Sequence, residues 1–232
     1  MSSWEMFYEQ FVTYGGYRLV LRGLLVTVEV AVAGLLIGIL IGTLIAVARV
    51  VPKYRRLPRV LNRICDVYVG FFRGTPMVVQ LLLGYFVLLP ALHITMNSVV
   101  VAIIVFGLNS AAYVSEIMRS GIQSVDVGQL EAARALGMTY PVSMLKVVIP
   151  QAVKNIMPTI GNEFIVLIKE TSVLSFIAVV DLTEAFTKIG DANYEYIIPY
   201  LMLAAAYLVL VCLITVGIRL IERRLKRSDR SR

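Results

Sequence analysis

GLLVTVEVAVAGLLIGILIGTLIAVA, residues 23–48, carries a single ionisable side chain, Glu29. About 20 apolar residues cross a 30 Å hydrocarbon core as helix, and in lipid only helices and closed barrels satisfy every backbone polar group. This stretch therefore reads as a transmembrane helix, and it makes the chain an all-α membrane protein. The remainder agrees. Of 232 residues, 59% are hydrophobic and 16% charged, with a mean hydropathy of +0.81, whereas soluble domains carry roughly 25% charged residues. Further apolar runs at about 64–89, 98–118, 155–180 and 197–218 bring the expectation to about five spans within one membrane domain, residues 19–220. Asn162, Glu163, Lys169 and Glu170 interrupt the fourth.

Charge on the connections sets the expected orientation. Arg49, Lys53, Arg55, Arg56, Arg59 and Arg63 follow the first span without an acid among them, and Arg219, Arg223, Arg224, Lys226, Arg227, Arg230 and Arg232 follow the last. The positive-inside rule places both stretches in the cytoplasm, residues 221–232 forming a basic tail. The connection DLTEAFTKIGDANYEY, with Asp181, Glu184, Asp191 and Glu195 against Lys188 alone, faces outside, as does the one around PALHITMN. The N-terminus is then outside and the C-terminus inside. The net charge of +7 is mainly a topology signal, and no nucleic-acid partner is expected. Residues 1–18 show no cleavable signal pattern. Trp4, Phe7, Tyr8 and Phe11 recur at helical spacing, which suits an amphipathic helix lying in the interface. Cys65 and Cys212 lack metal-ligand spacing, and no metal site is expected.

Gly34, Gly38 and Gly42 fall on one stripe of the first span, which lets another helix approach closely. In the second span FFRGTP, residues 71–76, interrupts the apolar run. Counted inward from Arg63 along a continuous helix, Arg73 lies roughly 15 Å deep. Pro76 supplies no N–H and biases Thr75 away from helical angles, so a kink or break is expected there. Broken helices with charge at midplane typify substrate sites of transporters. A later start to the span would instead let Arg73 snorkel to the cytoplasmic surface. In the fourth span Asn162 and Lys169, like Glu163 and Glu170, are seven residues apart, placing all four on one face with Thr159 and Val166. Intramembrane ionisable groups usually face a bundle interior or an aqueous cavity, and internal pairing of Lys169 with an acid is the plainer alternative.

Between the third and fourth spans, SVDVGQLEAARALGMTY is expected to form a short helix at about 125–137. Asp126 and Gln129 have capping-box spacing, and Gly137 can take the left-handed turn that closes a helix. Thr139 then caps a second short helix, with Pro141 in its first turn, ending near Ile149 and Pro150. A rigid, exposed helix–turn–helix suits insertion into a partner's groove.

The pattern Glu131-Ala132-Ala133, three residues, Gly137, nine residues, Val147, one residue, Ile149-Pro150 resembles the EAA signature of permease subunits of bacterial ABC importers, with Val147 and Ile149 as conservative departures. FFRGTP (71–76), SEIMRSGIQSV and GQLEAA within residues 115–133, IPQAVKNIMPTIGNEF (149–164) and LIKETSVLSF (167–176) resemble the histidine/glutamine/arginine group of polar amino acid permeases. The likeness runs over about residues 20–220. It implies a coupling helix in which Gln129, Glu131, Ala132, Ala133, Arg134 and Gly137 make or shape a contact with a cytoplasmic ATPase. It also implies two ATPase subunits that bind ATP and Mg, a second permease chain as homodimer or paralogue, an extracytoplasmic solute-binding protein, and a bacterial inner-membrane location. The chain itself has no G-x4-G-K-[ST] loop and no nucleophile beside a base, so it is expected to be non-catalytic and to hold no cofactor. The expected substrate pathway comprises Arg73, Thr75, Asn162, Glu163, Lys169, Thr171 and Ser172. Glu163 would meet an ammonium or cationic side chain and Arg73 or Lys169 a carboxylate. The rival readings are an ABC importer of another small polar solute and an ion-coupled carrier or channel.

Overall fold

The computed structural model describes residues 2–50 and 56–230. Lys53, Arg55 and Arg232, used above for orientation, lie outside the described residues. All regular structure among the described residues is helical. The helices are α1 (Ser3–Tyr8), α2 (Gly16–Val50), α3 (Arg56–Gly74), α4 (Met77–Leu82), α5 (Leu89–Ala91), α6 (Ser98–Gln123), α7 (Val127–Ala135), α8 (Tyr140–Ser143), α9 (Ile149–Glu170), α10 (Leu182–Asp191) and α11 (Ile197–Arg230). A π-helical turn, Leu83–Leu88, joins α4 to α5, and a 3-10 segment, Thr171–Ile177, follows α9.

Among the described residues three helices are long and apolar enough to cross a membrane: Gly16–Arg49, Ser98–Gln123 and Ile197–Arg224. The expected second span is a bent pair, Pro58–Gly74 and Met77–Ala91, turned through 108°. The break falls where the sequence places it. Pro76 is the N-cap of α4 in an extended conformation, and the stretch from Arg63 to Arg73 ahead of it is continuous helix within α3. The expected fourth span is helical as α9, but Lys154, Asn162, Glu163 and Lys169 leave it less apolar than the others.

The glycine ladder is used within the chain. A Cβ on Gly34 would come 3.0 Å from Phe106 Cβ, one on Gly38 2.5 Å from Ser110 Oγ, and one on Gly42 2.8 Å from Ala111 O. A Cβ on Gly107 of α6 would likewise meet Ile37 of α2 at 2.6 Å. The backbones of α2 and α6 therefore touch along the stripe, the close approach that small residues permit between helices in lipid. The helix that the ladder admits is thus α6 of the same chain. Around this pair a core of Val30, Leu81, Phe106, Leu167, Ile168 and Leu174 joins α2, α4, α6 and α9. Peripheral α11 leaves Leu201, Leu208, Leu213 and Leu220 exposed.

At one end α10 closes over the start of α2. Asp181, fully buried, caps α10 by accepting from the Thr183 and Glu184 amides at 3.0 Å each, and Leu182 N–H donates to Thr27 Oγ1 at 3.1 Å. Phe7 and Phe11 pack with Phe186 and Ile189, whereas Trp4 and Tyr8 of the N-terminal segment are exposed. The acidic connection and the N-terminus thus share one end, and Arg49 and α7 lie towards the other.

Candidate functional site

The break after Gly74 frees carbonyl groups that a continuous helix would bond, and buried carbonyls need partners. Thr75 Oγ1 donates to Phe71 O at 2.8 Å. The Gln80 side-chain nitrogen lies 2.8 Å from Phe72 O, 2.9 Å from Thr75 O and 2.9 Å from Thr75 Oγ1, and its two hydrogens serve these acceptors. Gln80 Oε1 in turn accepts from Asn109 Nδ2 of α6 at 2.8 Å. Both side chains are buried. This pair seals the break and ties it to α6.

The break opens into a cavity of about 410 Å³ lined by Thr75, Pro76 and Met77, by Asn109 and Tyr113 of α6, and by Asn162, Glu163, Val166, Leu167 and Glu170 of α9. Its size suits a small solute. Glu163 is 7% exposed and accepts from Ser110 Oγ at 3.2 Å. Ser110 is the residue against which Gly38 packs, so the glycine stripe indirectly sets the carboxylate.

Of the expected pathway residues, the structure gathers Thr75, Asn162 and Glu163 around this cavity and leaves the others off its wall. Arg73, before the break, lies over the Tyr113 ring at 5.5 Å and 3.9 Å from Glu116. Lys169 is exposed on α9 and absent from the cavity wall. Thr171 is fully buried with its hydroxyl donating to Ile168 O at 2.7 Å, and Ser172 sits in the 3-10 segment beyond. Among the described residues no Lys or Arg lines the cavity, whereas Glu163 and Glu170 both do. Asn109 and Tyr113 escape a reading of the sequence because α6 looks like an ordinary span; a polar Asn inside an apolar run is the available signal.

Following α6, the short helix expected at about 125–137 is present as α7, Val127–Ala135. Helix α7 starts at Val127, and Asp126 caps it through Gly128 N at 2.8 Å. The reciprocal capping box with Gln129 is not formed, since the carboxylate has taken the N2 amide instead. At the other end Gly137 has φ +84, its N–H bonds Arg134 O at 3.0 Å, and Met138 N–H bonds Ala133 O at 3.2 Å. This is the Schellman closure that favours glycine. Gln129, Glu131, Ala132, Arg134 and Gly137 are exposed. Ala133 is 5% exposed and seats the helix on the body. Beyond the turn the expected stop near Ile149 and Pro150 does not occur, nor does a side-chain cap from Thr139. Helix α8 runs through a π-helical turn, Met144–Val148, straight into α9. Ile149 N–H bonds Met144 O, five residues back, and this wider turn absorbs the missing N–H of Pro150.

The chain has relatives among known proteins. Residues 34–227 match the family described as binding-protein-dependent transport system inner membrane component. The arginine transport system permease protein ArtQ of Bacillus subtilis (strain 168) is 38% identical over 210 residues, 90% of this chain and 94% of the relative. A putative glutamine transport system permease protein GlnP of Rickettsia prowazekii (strain Madrid E) is 37% identical over 206 residues, 89% and 92% of the two chains. Among solved structures, the crystal structure of an amino acid ABC transporter with histidines superposes with a TM-score of 0.85 at 38% identity, covering 94% of this chain and 98% of that one. The inward-facing MetNI methionine ABC transporter shares the fold at 20% identity, with a TM-score of 0.72 over 90% and 97% of the chains. With the match covering most of its length, the chain belongs to the family of binding-protein-dependent transport system inner membrane components.

Proposed function

We infer that this chain is the permease subunit of an ATP-driven importer that carries a polar amino acid, most suitably a basic one, into the cytoplasm. The observation that carries this reading is the cavity at the helix break, whose described lining has two carboxylates, Glu163 and Glu170, and no cation. A guanidinium or ammonium entering a low-dielectric site needs a fixed negative partner, and Glu163 supplies one. Asn109, Asn162 and Thr75 offer neutral donors to the substrate's own carboxylate. The arginine named in one relative fits the same charge pattern.

The chain does no chemistry on its cargo. ATP and Mg bind two cytoplasmic ATPase subunits, which dock on α7 through Gln129, Glu131, Ala132, Arg134 and Gly137 while Ala133 holds the helix in place. A second permease chain, homodimeric or paralogous, completes the pathway, and an extracytoplasmic solute-binding protein delivers the amino acid at the α10 end. The protein is then a multi-pass component of a bacterial inner membrane.

The test is ATP hydrolysis by the reconstituted complex with its binding protein across a panel of arginine, lysine, histidine, glutamine and glutamate. Stimulation by the basic members is expected. Preference for glutamate would overturn the cargo assignment, and a chain that transports without any ATPase would overturn the importer reading.

A further inference from the structure

Helix α6 carries two functions on one rod. Its middle supplies Asn109 and Tyr113 to the cavity wall, and it ends at Gln123, a short turn before α7. Between them stands Glu116, half-buried among arginines from three helices. Glu116 Oε1 accepts from Arg49 of α2, Glu116 Oε2 accepts from Arg119 Nη2 at 2.7 Å, and Arg73 of α3 approaches Oε2 at 3.9 Å. Arg49 also holds Asp66 of α3 at 2.8 Å. A single carboxylate thus joins α2, α3 and α6.

Arg73 connects this cluster to the cavity. It stands just ahead of Thr75 and Pro76 on the wall, and its guanidinium lies over the ring of Tyr113, another wall residue. Glu116 and Tyr113 are neighbours on the same face of α6, one turn apart. A displacement of α7 reaches α6 through a short connection, and α6 cannot slide against α2 and α3 unless Glu116 leaves Arg49 and Arg73. A solute that moves Tyr113 disturbs the same arginine from the other side.

We propose that Glu116 is the positioning residue that links occupancy of the cavity to the placement of the coupling helix, with Arg73 as its contact to the cavity wall. It touches neither substrate nor ATPase. It holds α2, α3 and α6 in one arrangement until both sites favour the other, which is the two-state element that energetic coupling requires. The proposal rests on the importer reading.

The experiment uses the complete importer, with ATPase subunits and binding protein, in proteoliposomes. ATP hydrolysis is measured with and without arginine for wild type, Glu116→Gln, Glu116→Asp, Arg73→Gln and the double variant Arg73→Gln/Glu116→Gln. The expected result is a ratio of stimulated to basal hydrolysis about tenfold lower in Glu116→Gln, within the roughly 5–150-fold range of coupling between sites. Arginine affinity of the solubilised complex stays within about twofold, a split that general loss of structure would not give. Glu116→Asp, which keeps the charge, recovers most of the ratio, and the double variant is no worse than Glu116→Gln alone because both act on one contact. A normal ratio in Glu116→Gln, or independent effects of the two substitutions, would overturn this proposal alone. A wild-type complex indifferent to every amino acid would overturn the importer reading and this proposal with it.

Discussion

Asn109 donates to Gln80 Oε1 at 2.8 Å, while the nitrogen of the same Gln80 amide reaches the carbonyls of Phe72 and Thr75. One side chain therefore replaces the hydrogen bonds lost where Pro76 breaks the second span, and fixes that break to the helix carrying the cavity wall.

This relationship predicts a stability effect. Hydrogen bonds between helices in membrane proteins average about 0.6 kcal/mol and reach about 1.7. Gln80→Met removes the bonds to the break and leaves the Asn109 amide only its longer bond to Phe72 O at 3.4 Å, so a loss of roughly 2 kcal/mol is expected. Asn109→Ala should cost less, because Gln80 keeps its contacts with Phe72 and Thr75. In a double-mutant cycle by thermal unfolding in detergent, the two should be non-additive by about 1 kcal/mol. Strict additivity would show that the pair does not act as a unit.

The helix stripe gives a contrast between glycines. Gly38→Ala places a methyl 2.5 Å from Ser110 Oγ and 2.7 Å from Ser110 Cβ. Either α2 and α6 separate or Ser110 rotates away from Glu163, at a cost of about 1–3 kcal/mol for overpacking. Gly70→Ala meets nothing within 4 Å in the interior of α3, and better helix propensity should make it neutral or stabilising by up to about 1 kcal/mol. Comparing thermal midpoints of the two variants checks this, and equal losses would contradict the packing argument.

At Gly137 the constraint is backbone conformation alone, since φ is +84 and a Cβ there would meet no atom within 4 Å. Gly137→Val should strain the Schellman closure and weaken retention of the ATPase during mild detergent purification, whereas Gly137→Asn, which tolerates left-handed angles, should retain it. Loss in both variants would mean that the glycine is needed for close approach of the partner instead.

The break at Thr75-Pro76, the start of α7 after Asp126 and its end at Gly137 follow from constraints within a few residues, and the sequence carries them openly. Pro150 is also a local signal, but its usual meaning is reversed by the π-helical turn of Met144–Val148, which carries α8 directly into α9. Arg73 sits at the end of α3, just ahead of a 108° bend whose size no count of residues supplies. Asn109 and Tyr113 become wall residues only through the register of α6 against α2, and that register is set by Gly34, Gly38 and Gly42, whose partner helix no single stretch of sequence names.

Glu163 gives the most direct test of cargo. Its carboxylate is buried, its hydrogen-bond donor is Ser110, and the described cavity lining has no cation to neutralise it. Glu163→Gln preserves the shape and an acceptor for Ser110 while removing the charge. Loss of a buried charge partner costs at least about 2 kcal/mol, or roughly thirtyfold in apparent affinity. Uptake of arginine and lysine into proteoliposomes should therefore fall by about that factor, with glutamine uptake, if present in the wild type, changing less than about threefold. An equal fall for basic and neutral amino acids would mean that Glu163 supports the bundle without reading the cargo's charge. Unchanged arginine uptake would remove it from the pathway altogether.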